Sequence, residues 1–404
     1  MIARIAFRNI FRQRRRSILT ALMMAGGFAL SSVSLGISEG SYDRIIDMFT
    51  RDHTGHVQIH RSGYLDRPSI YRTIGDPQAL GAAVAQYPGV AAWAPRLYSP
   101  ALAFRGKKTT GAQLVGIDPE REGRTTRLPA KINQGRFLTR KPEYGILIAS
   151  GLARILAAEI GDEIVLIAQG ADGSIANDLF RVVGILGASG QVRQGMRCYL
   201  HIAAAREFLV LPDRAHEVAI LLHEHRDSRA VAAGLTSALA RPDLDIDPWE
   251  VVEHQFYQAM RADVKGMWIS LAIIMIIVAV GVLNTVLMTI LERTREFGVL
   301  RAIGTRPRDV FALVVLETSF LALLSLVPGI ILGASCNHLL GIYGIQLPTS
   351  VEYGGVVFDS MTGKNSLRTL AVPGVVVFVT AVVVSLLPAL RAARIVPVEA
   401  MRSH

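Results

Sequence analysis

The chain has 404 residues, of which 51% are hydrophobic and only 19% are charged. A charged fraction below the ~25% of soluble domains argues against a simple soluble enzyme, and the hydrophobic fraction argues against a disordered or fibrous chain. The net charge of +10 would by itself suggest a nucleic-acid or acidic-surface partner, so its location along the chain decides its meaning. Two cysteines, Cys198 and Cys336, exclude a disulfide framework and a four-thiolate metal site.

The first sixteen residues form a basic, amphipathic segment with six arginines and no acidic residue. Together with the apolar stretch that follows, this start is similar to a secretory signal peptide. A cleaved signal has a short apolar core and a small-residue cleavage site, whereas the stretch here is about 20 residues long and continues into residues 36–42. We therefore predict a retained membrane span.

Four apolar stretches approach or exceed the ~20 residues that a helix needs to cross a bilayer core. They predict spans at 17–40, 267–291, 310–336 and 370–390. Small residues inside them, such as Gly329 with Gly333, are typical of helices that pack together in lipid. The predicted fold class is an α+β membrane protein with four transmembrane helices and a large mixed α/β extracytoplasmic domain between helices 1 and 2.

The positive charge is concentrated in three segments, at 1–16, 292–309 and 391–404. Together they hold fourteen basic and four acidic residues, which accounts for the whole excess, and the remainder of the chain is neutral. Lys and Arg mark the cytoplasmic side of a membrane protein, and with four spans all three segments fall on one side. The sequence therefore predicts cytoplasmic termini, with the domain 41–266 and the loop 337–369 outside.

The long insertion at 41–266 has mixed α+β character. Short alternating or apolar runs predict strands at 56–60, 113–117, 163–168, 180–186 and 217–222, and helical spacing predicts helices at 150–158, 203–211 and 228–239. The run His56–His60 alternates like a half-buried strand. Residues 247–265 have helical character and lead into span 2 without a strong breaker, so we expect span 2 to project from the membrane as a stalk.

The segment Glu292–Gly304 predicts a short charged helix between spans 2 and 3. Glu292 and Glu296 lie one turn apart, Phe297, Leu300 and Ile303 give it an apolar side, and Gly304 ends it. Such a helix suits docking to a cytoplasmic motor, and a merely interfacial helix fits the pattern equally well.

Glu317 lies inside the third span, where an ionised carboxylate is costly. One interpretation is a coupling or packing contact at the cytoplasmic half of the bundle. The other is that its position about two turns from Val310 lets the side chain reach the interface. The sequence leaves both open.

Two runs are similar to catalytic motifs. Gly363-Lys364-Asn365 resembles the end of a phosphate-binding loop, but Phe358 replaces its first glycine and Asn365 its magnesium-binding hydroxyl, so we expect no nucleotide hydrolysis by this chain. The run Gly36–Gly40 fits a hydrolase nucleophile elbow, but it lies at the outer end of span 1, and helix packing explains its small residues better.

Six histidines form two groups along the chain: His53, His56 and His60, and His216, His223 and His225. No Cys or carboxylate completes a known ligand spacing around them, so we expect solvated polar faces instead of a metal site.

Three separated motifs carry a family resemblance: Arg8–Arg12 before span 1, Glu292–Gly304, and the terminal run from Pro388 to Arg402. They resemble the FtsX-like permeases of ABC transporters, the group that includes the MacB exporters and the lipoprotein-releasing LolC/LolE pair. The outer domain adds matches to that family's periplasmic core at 135–138, 161–162, 180–185 and 199–208. The run His56–His60 after Gly55 is most similar to the LolC/LolE branch.

The resemblance implies a membrane subunit that works as one half of a dimer with a second permease copy or paralogue. A cytoplasmic dimer of ABC ATPases binds ATP and Mg, and this chain holds no cofactor. Since only about 16 residues precede span 1, we expect the motor to be a separate polypeptide. The docking residues that the family motif implies are Glu292, Arg293, Arg295, Glu296, Gly298, Arg301 and Gly304, with Glu317 as a candidate for intramembrane coupling.

The implied mechanism is mechanotransmission, in which ATP binding moves the docking helix and span 2 carries the motion outward. The leading hypothesis is release of a lipoprotein, or another amphiphilic substrate, from the outer leaflet of the inner membrane to a periplasmic carrier. The alternatives are an efflux permease for drugs or peptides with an adaptor and an outer-membrane duct, and an FtsX-type regulator of a cell-wall hydrolase. None of these involves nucleic acid.

Overall fold

The computed structural model describes residues 2–12, 14–187, 195–353 and 356–396, and side chains of these residues other than 53 and 347–359. The helices are α1 Ile2–Arg12, α2 Arg14–Phe49, α3 Pro77–Ala85, α4 Pro119–Thr125, α5 Ser150–Leu156, α6 Ile202–Phe208, α7 Ser228–Leu239, α8 Trp249–Val252, α9 His254–Glu292, α10 Thr294–Ala302, α11 Pro307–Tyr343 and α12 Leu367–Ala393. The strands are β1 Val57–Arg61, β2 Ile74–Gly75, β3 Val90–Arg105, β4 Lys108–Ile117, β5 Ile132–Gly135, β6 Gly145–Ala149, β7 Glu163–Gln169, β8 Ile175–Leu186, β9 Arg197–His201, β10 Arg214–Ala215, β11 Glu217–Leu222, β12 Leu244–Pro248, β13 Ile345–Tyr353 and β14 Val356–Met361.

The chain divides into two units. The helical unit comprises 1–43, 259–350 and 359–404, and the α/β domain comprises 44–258 together with 351–358.

Four helices of the described chain, α2, α9, α11 and α12, are long and apolar enough to cross a membrane. They contain the four predicted spans. Helix α9 begins at His254, thirteen residues before the predicted span starts, which adds about 20 Å of helix at ~1.5 Å per residue. The predicted helical extension is therefore confirmed from His254 onward. The first part of the predicted segment is different, because Asp247 and Pro248 end strand β12 and Trp249–Val252 form the separate helix α8.

Glycines allow the two longest helices to approach closely. A methyl group at Gly27 of α2 would overlap the side chain of Val278 on α9, and a methyl group at Gly281 of α9 would overlap Met23 on α2. Small residues at a helix interface permit this close backbone approach in lipid. Each helix thus receives a side chain of the other in a glycine notch.

Residues of the two runs that are similar to catalytic motifs, Gly36–Gly40 and Gly363–Asn365, make packing and ion-pair contacts within the helical unit. Gly36–Gly40 is an uninterrupted part of α2, and Gly36 packs against Asn337 so closely that a methyl group there would overlap it. Lys364 forms an ion pair with Asp43 at 2.5 Å. The side chain of Phe358, which entered the phosphate-loop comparison, lies outside the described side chains.

The α/β domain is built on a ten-stranded mixed sheet in the order β12-β1-β11-β3-β4-β9-β6-β8-β5, with β7 paired to both β3 and β8. The pairings β3-β4-β9-β6-β8-β7 close on β3 and form a ring of six strands. Two neighbouring pairs, β4 with β9 and β6 with β8, are parallel. The predicted mixed α/β class is confirmed.

Two large apolar cores lie in this domain. One fills the six-stranded ring region around Leu114, Ile148 and Phe180 and includes residues of α5 and α6. The other lies between the strands β1, β3, β11 and β12 and the helices α3 and α7, around Ile59 and Trp93. The sixteen-residue strand β3 contributes side chains to both cores, Trp93 to the second and Leu97 to the first.

The strand β1 differs from its prediction. All of Val57–His60 is buried, because β1 pairs with β11 and β12 at its edges and both of its faces are covered: Val57 and Ile59 lie in the second apolar core, and His60 stacks on Tyr64. The expectation of solvated histidine faces is consequently wrong for His56, His60 and His216, which are all buried.

Candidate coupling site

The segment Glu292–Gly304 forms a break and a short helix between α9 and α11. Helix α9 ends at Glu292, Arg293 has non-helical dihedral angles, and α10 continues to Ala302. Gly304 has φ of +101°, a conformation that favours glycine and ends the helix as predicted. The predicted single helix is thus a nine-residue helix that follows a kink.

Arg293 is the centre of a largely buried ion-pair chain. Its Nε lies 3.0 Å from an oxygen of Glu296, and its Nη1 lies 3.1 Å from an oxygen of Glu317 on α11. The guanidinium carbon lies 5.2 Å from the ring centroid of Phe297. Buried charges are tolerated when they are paired, so the Arg293 pair explains how Glu317 resides inside α11. Of the two interpretations of Glu317, the geometry matches a packing contact between elements.

Two arginines near the start of the chain, Arg12 at the end of α1 and Arg16 in α2, pair with acidic residues of this segment. Arg16 forms a two-pronged contact with Glu292 at 2.5 and 2.9 Å, and Arg12 lies 2.6 Å from Glu296. On the adjacent side, Phe7 contacts the ring of Phe320 on α11. Burial acts to raise the pKa of Glu296, but the hydrogen bond from Arg293 and the charges of Arg293 and Arg12 hold that pKa below its ordinary value.

The predicted docking residues therefore separate into two sets. Glu292, Arg293 and Glu296 direct their charges to other parts of the helical unit, and Gly298 is buried. Arg301 donates to the carbonyl of Thr305 at 3.2 Å, which closes the turn after α10. Arg295 and Gly304 are exposed.

Residues outside the predicted docking set complete the exposed surface. One of them, Ile303, was predicted on the apolar side of the helix with Phe297, but it lies beyond the end of α10 and is 77% exposed. Val299 and Ile303 are exposed beside Arg295, and Arg306 and Arg308 follow them. We call these five residues with Gly304 the basic–apolar surface. The sequence signal for this surface is the presence of Val299 and Ile303 within a short charged segment, and the structure shows that both are exposed at positions where a solvent-facing helix is usually polar.

The structure also gives a role to Arg12 and Arg16, two residues that the sequence reasoning did not assign to the coupling site. Each pairs with a carboxylate more than 270 positions away, at Glu296 and Glu292. The local sequence signal is that the two arginines, like the two glutamates, are four residues apart, the spacing of neighbours on one helix face. In the structure a helix break separates the members of each set.

No group of three His, Cys, Asp or Glu side chains that could hold a metal ion occurs in the described residues 2–12, 14–187, 195–353 and 356–396. The side chain of His53, one member of the first histidine group, lies outside the described side chains. His216 is held by its neighbours: its Nδ1 accepts from the backbone N–H of Tyr98 at 3.0 Å.

Comparison with known proteins supports two consecutive family matches. Residues 17–238 match the MacB-like periplasmic core domain, and residues 268–397 match the FtsX-like permease C-terminal region. The final part of the terminal motif, from residue 397 onward, lies outside the described residues.

Three relatives illustrate the range of the similarity. The lipoprotein-releasing system transmembrane protein LolC of Neisseria meningitidis serogroup B is 23% identical over 328 residues, which cover 78% of each chain. The LolC of Xylella fastidiosa is 24% identical over 424 aligned positions, which cover 98% of each chain. The macrolide export ATP-binding/permease protein MacB of Nitrobacter winogradskyi is 27% identical over 95% of this chain, which spans only 58% of that relative.

Proposed function

This chain belongs to the FtsX-like permeases with a MacB-like periplasmic core domain, and from that membership we propose that it serves to release lipoprotein or a similar amphiphile from the inner membrane. It is a permease subunit of an ABC transporter and an inner-membrane protein with a periplasmic domain. The observation that carries the proposal is the alignment with the Xylella fastidiosa LolC, which extends over 98% of both chains.

The coupling geometry supports a mechanical role. Helix α9 is continuous over 39 residues, or about 58 Å at ~1.5 Å per residue. Its end is tied to α10 and α11 through Arg293, which contacts both Glu296 and Glu317. A force on α10 would therefore act on α9 and α11 together, which is what mechanotransmission from a motor requires.

The proposed orientation follows from the charge map. Both termini and the α10 loop lie in the cytoplasm, because the three basic segments account for the whole net charge of +10. The basic–apolar surface then faces a cytoplasmic ABC ATPase dimer, which binds ATP and Mg. Arg295, Val299 and Ile303 would contact that dimer, while Arg293, Glu296 and Glu317 transmit its movement.

The energetics of the cargo fit an ATP-driven step. Removing one acyl chain from a bilayer costs about 0.8 kcal/mol per CH₂, so extracting several chains fits an ATP-driven step. The remaining proposed partners are a second permease, identical or paralogous, and a periplasmic carrier or adaptor.

Efflux of drugs or peptides is the second candidate function. It is favoured by the similarity to the MacB of Nitrobacter winogradskyi, which extends over 95% of this chain. An adaptor and an outer-membrane duct would then replace the lipoprotein carrier.

Depletion of the protein in its own host separates the two functions. We expect lipoproteins destined for the outer membrane to accumulate in the inner-membrane fraction after depletion, as measured by fractionation and immunoblotting. Re-expression of the native chain should restore their release, and the Arg295→Glu variant should restore it poorly. Correct lipoprotein release with a change only in drug or peptide sensitivity would reject the leading proposal in favour of efflux.

A further inference from the structure

Helix α1 packs one face on the helical unit and exposes the other. Ala6 and Ile10 are buried, and the ring of Phe7 lies in edge contact with the ring of Phe320 on α11, with 5.8 Å between the centroids. Helix α11 is one of the four helices of the described chain that are long and apolar enough to cross a membrane. Packing therefore holds α1 beside a span, and its exposed side is available to another partner.

A row of arginines follows the exposed side of α1. Arg4, Arg8 and Arg12 recur every four residues, which places them along one side of a helix, and all three are exposed. Arg12 pairs with Glu296 at 2.6 Å, whereas no acidic side chain among the described residues forms an ion pair with Arg4 or Arg8. The segment 1–16 itself contains no acidic residue. The described part of the chain therefore leaves two positive charges of this row uncompensated.

Two exposed aromatic side chains lie beside the arginines. Phe7 and Phe11 are 44% and 53% exposed, and their rings are in edge contact with 5.3 Å between the centroids. Phe7 follows Arg4 by three residues, and Phe11 follows Arg8 by three residues, so each ring neighbours an arginine on the helix surface. We call Phe7 and Phe11 the aromatic strip.

The aromatic strip continues onto the apolar surface of a span. Phe7 contacts Phe320 of α11, and exposed leucine and valine side chains follow Phe320 on that helix within two turns, at Leu323, Leu324 and Val327. Exposed apolar side chains on a membrane-spanning helix face lipid hydrocarbon. An apolar strip flanked by basic residues is typical of a helix that lies at a bilayer surface, with its rings at the acyl boundary and its cations at the level of the headgroups.

Charge complementarity selects the kind of lipid. Arg14 is exposed, and its Nε donates to the backbone carbonyl of Phe11 at 3.3 Å, which adds a third cation at the end of the aromatic strip. A guanidinium presents parallel N–H donors that match phosphate oxygens. A zwitterionic headgroup carries its own cation and neutralises none of this charge, whereas an acidic headgroup does. The surface therefore matches acidic phospholipid.

We propose that Arg4 and Arg8, together with the aromatic strip, bind acidic phospholipid, whose phosphate accepts from the guanidinium groups while its upper acyl chain packs on the rings. The proposal goes beyond the transport function, because this lipid is a bound ligand of the permease and not its cargo. It assigns the exposed side of α1 to the membrane instead of to a protein partner.

The test uses the full chain in phosphatidylcholine nanodiscs that contain a small amount of a photoreactive lipid. Two such lipids have the same diazirine-bearing acyl chain and differ in their headgroup, which is phosphatidylglycerol in one and phosphatidylcholine in the other. We expect peptides that contain Phe7 or Phe11 to be labelled about tenfold more by the glycerol lipid. This factor corresponds to ~1.4 kcal/mol, within what two arginines gain near acidic headgroups. Equal labelling of these peptides by both lipids, or no labelling of them, would overturn the proposal.

A pair of double variants locates the headgroup contact. Arg4→Gln with Arg8→Gln should remove most of the roughly tenfold preference of the α1 peptides, while labelling by the choline lipid is retained because the aromatic strip is intact. Retained choline labelling also shows that α1 is still in place. Arg391→Gln with Arg394→Gln is the matched control, since both arginines are exposed at the end of α12. An undiminished preference in the first variant, or an equal loss in the control, would reject the site.

A protein partner is the other possible occupant of this surface, and the same labelling identifies it. The experiment is repeated on the chain co-purified with its partner ATPase, and labelling of the α1 peptides by the glycerol lipid should persist. Its loss on ATPase binding would assign the exposed side of α1 to the motor and overturn the proposal. Lipoprotein fractionation does not involve these lipids, so failure here leaves the transport proposal to its own test.

Discussion

Replacing Glu317 with alanine should destabilise the helical unit because it leaves Arg293 partly uncompensated. The side chains of Arg293 and Glu317 are 10% and 15% exposed, respectively. Breaking a buried pair typically costs about 3–5 kcal/mol. Glu296 remains 3.0 Å from Arg293 and its side chain is 37% exposed, so part of the compensation persists. We therefore expect a loss of about 2–3 kcal/mol in the free energy of unfolding.

The double variant Arg293→Met with Glu317→Leu provides the decisive comparison. It removes both charges and fills the space with apolar side chains, so its stability should lie within about 1 kcal/mol of the native chain. Glu296 then still has Arg12 at 2.6 Å. Unfolding in mixed detergent micelles, followed by tryptophan fluorescence, gives the three free energies.

The same variants separate stability from coupling. If the ion pair transmits movement between α10 and α11, the double variant should remain folded and bind the partner ATPase but lose most of the ATPase stimulation by the permease. Native stability in the Glu317→Ala variant would refute the energetic reasoning. Full ATPase stimulation in the double variant would refute the proposed mechanical tie.

Three further predictions concern other parts of the chain. Arg295→Glu should weaken binding of the partner ATPase about tenfold or more without lowering stability, whereas Arg391→Glu, also exposed, should bind normally in the same co-purification assay. Burial lowers the pKa of His56 from 6.5 to about 4, and nearby charges modify it, so the unfolded chain binds more protons between these values. Stability of the α/β domain should therefore fall by up to roughly 3 kcal/mol as the pH drops from 6.5 to 4, and denaturation of His56→Gln at several pH values should show a shallower loss. Gly27→Leu should cost about 1–3 kcal/mol in micelle unfolding through overlap with α9, whereas Gly26→Leu should be nearly neutral, because a methyl group at Gly26 meets no described atom within 4 Å.

Much of the local structure follows from the sequence pattern. The predicted strand 217–222 and helix 228–239 coincide with β11 and α7, and the apolar stretches lie within the four long helices. Local periodicity is sufficient there because each element buries one recognisable face or is apolar throughout. The position of Gly304 similarly indicates where α10 ends, since its backbone conformation is one that glycine favours.

The features that the sequence did not predict depend on contacts between residues that are far apart along the chain. The alternation in His56–His60 suggested a half-buried strand, but a strand with neighbours on both edges and packed faces buries its polar residues too. Likewise, the separation between Arg12 and Glu296 leaves no local pattern from which their contact could be deduced. The candidate coupling segment was predictable, whereas the division between its inward charges and its basic–apolar surface required the packed structure.

The two reciprocal glycine contacts interlock α2 and α9 along their axes. Val278 of α9 occupies the notch at Gly27, and Met23 of α2 occupies the notch at Gly281. Sliding one helix along the other would require both side chains to leave their notches, and no glycine lies one turn away on either helix to receive them. Small axial displacements of one helix past the other therefore meet steric resistance from both side chains, and if the proposed mechanism moves α9 along its axis, α2 is expected to move with it.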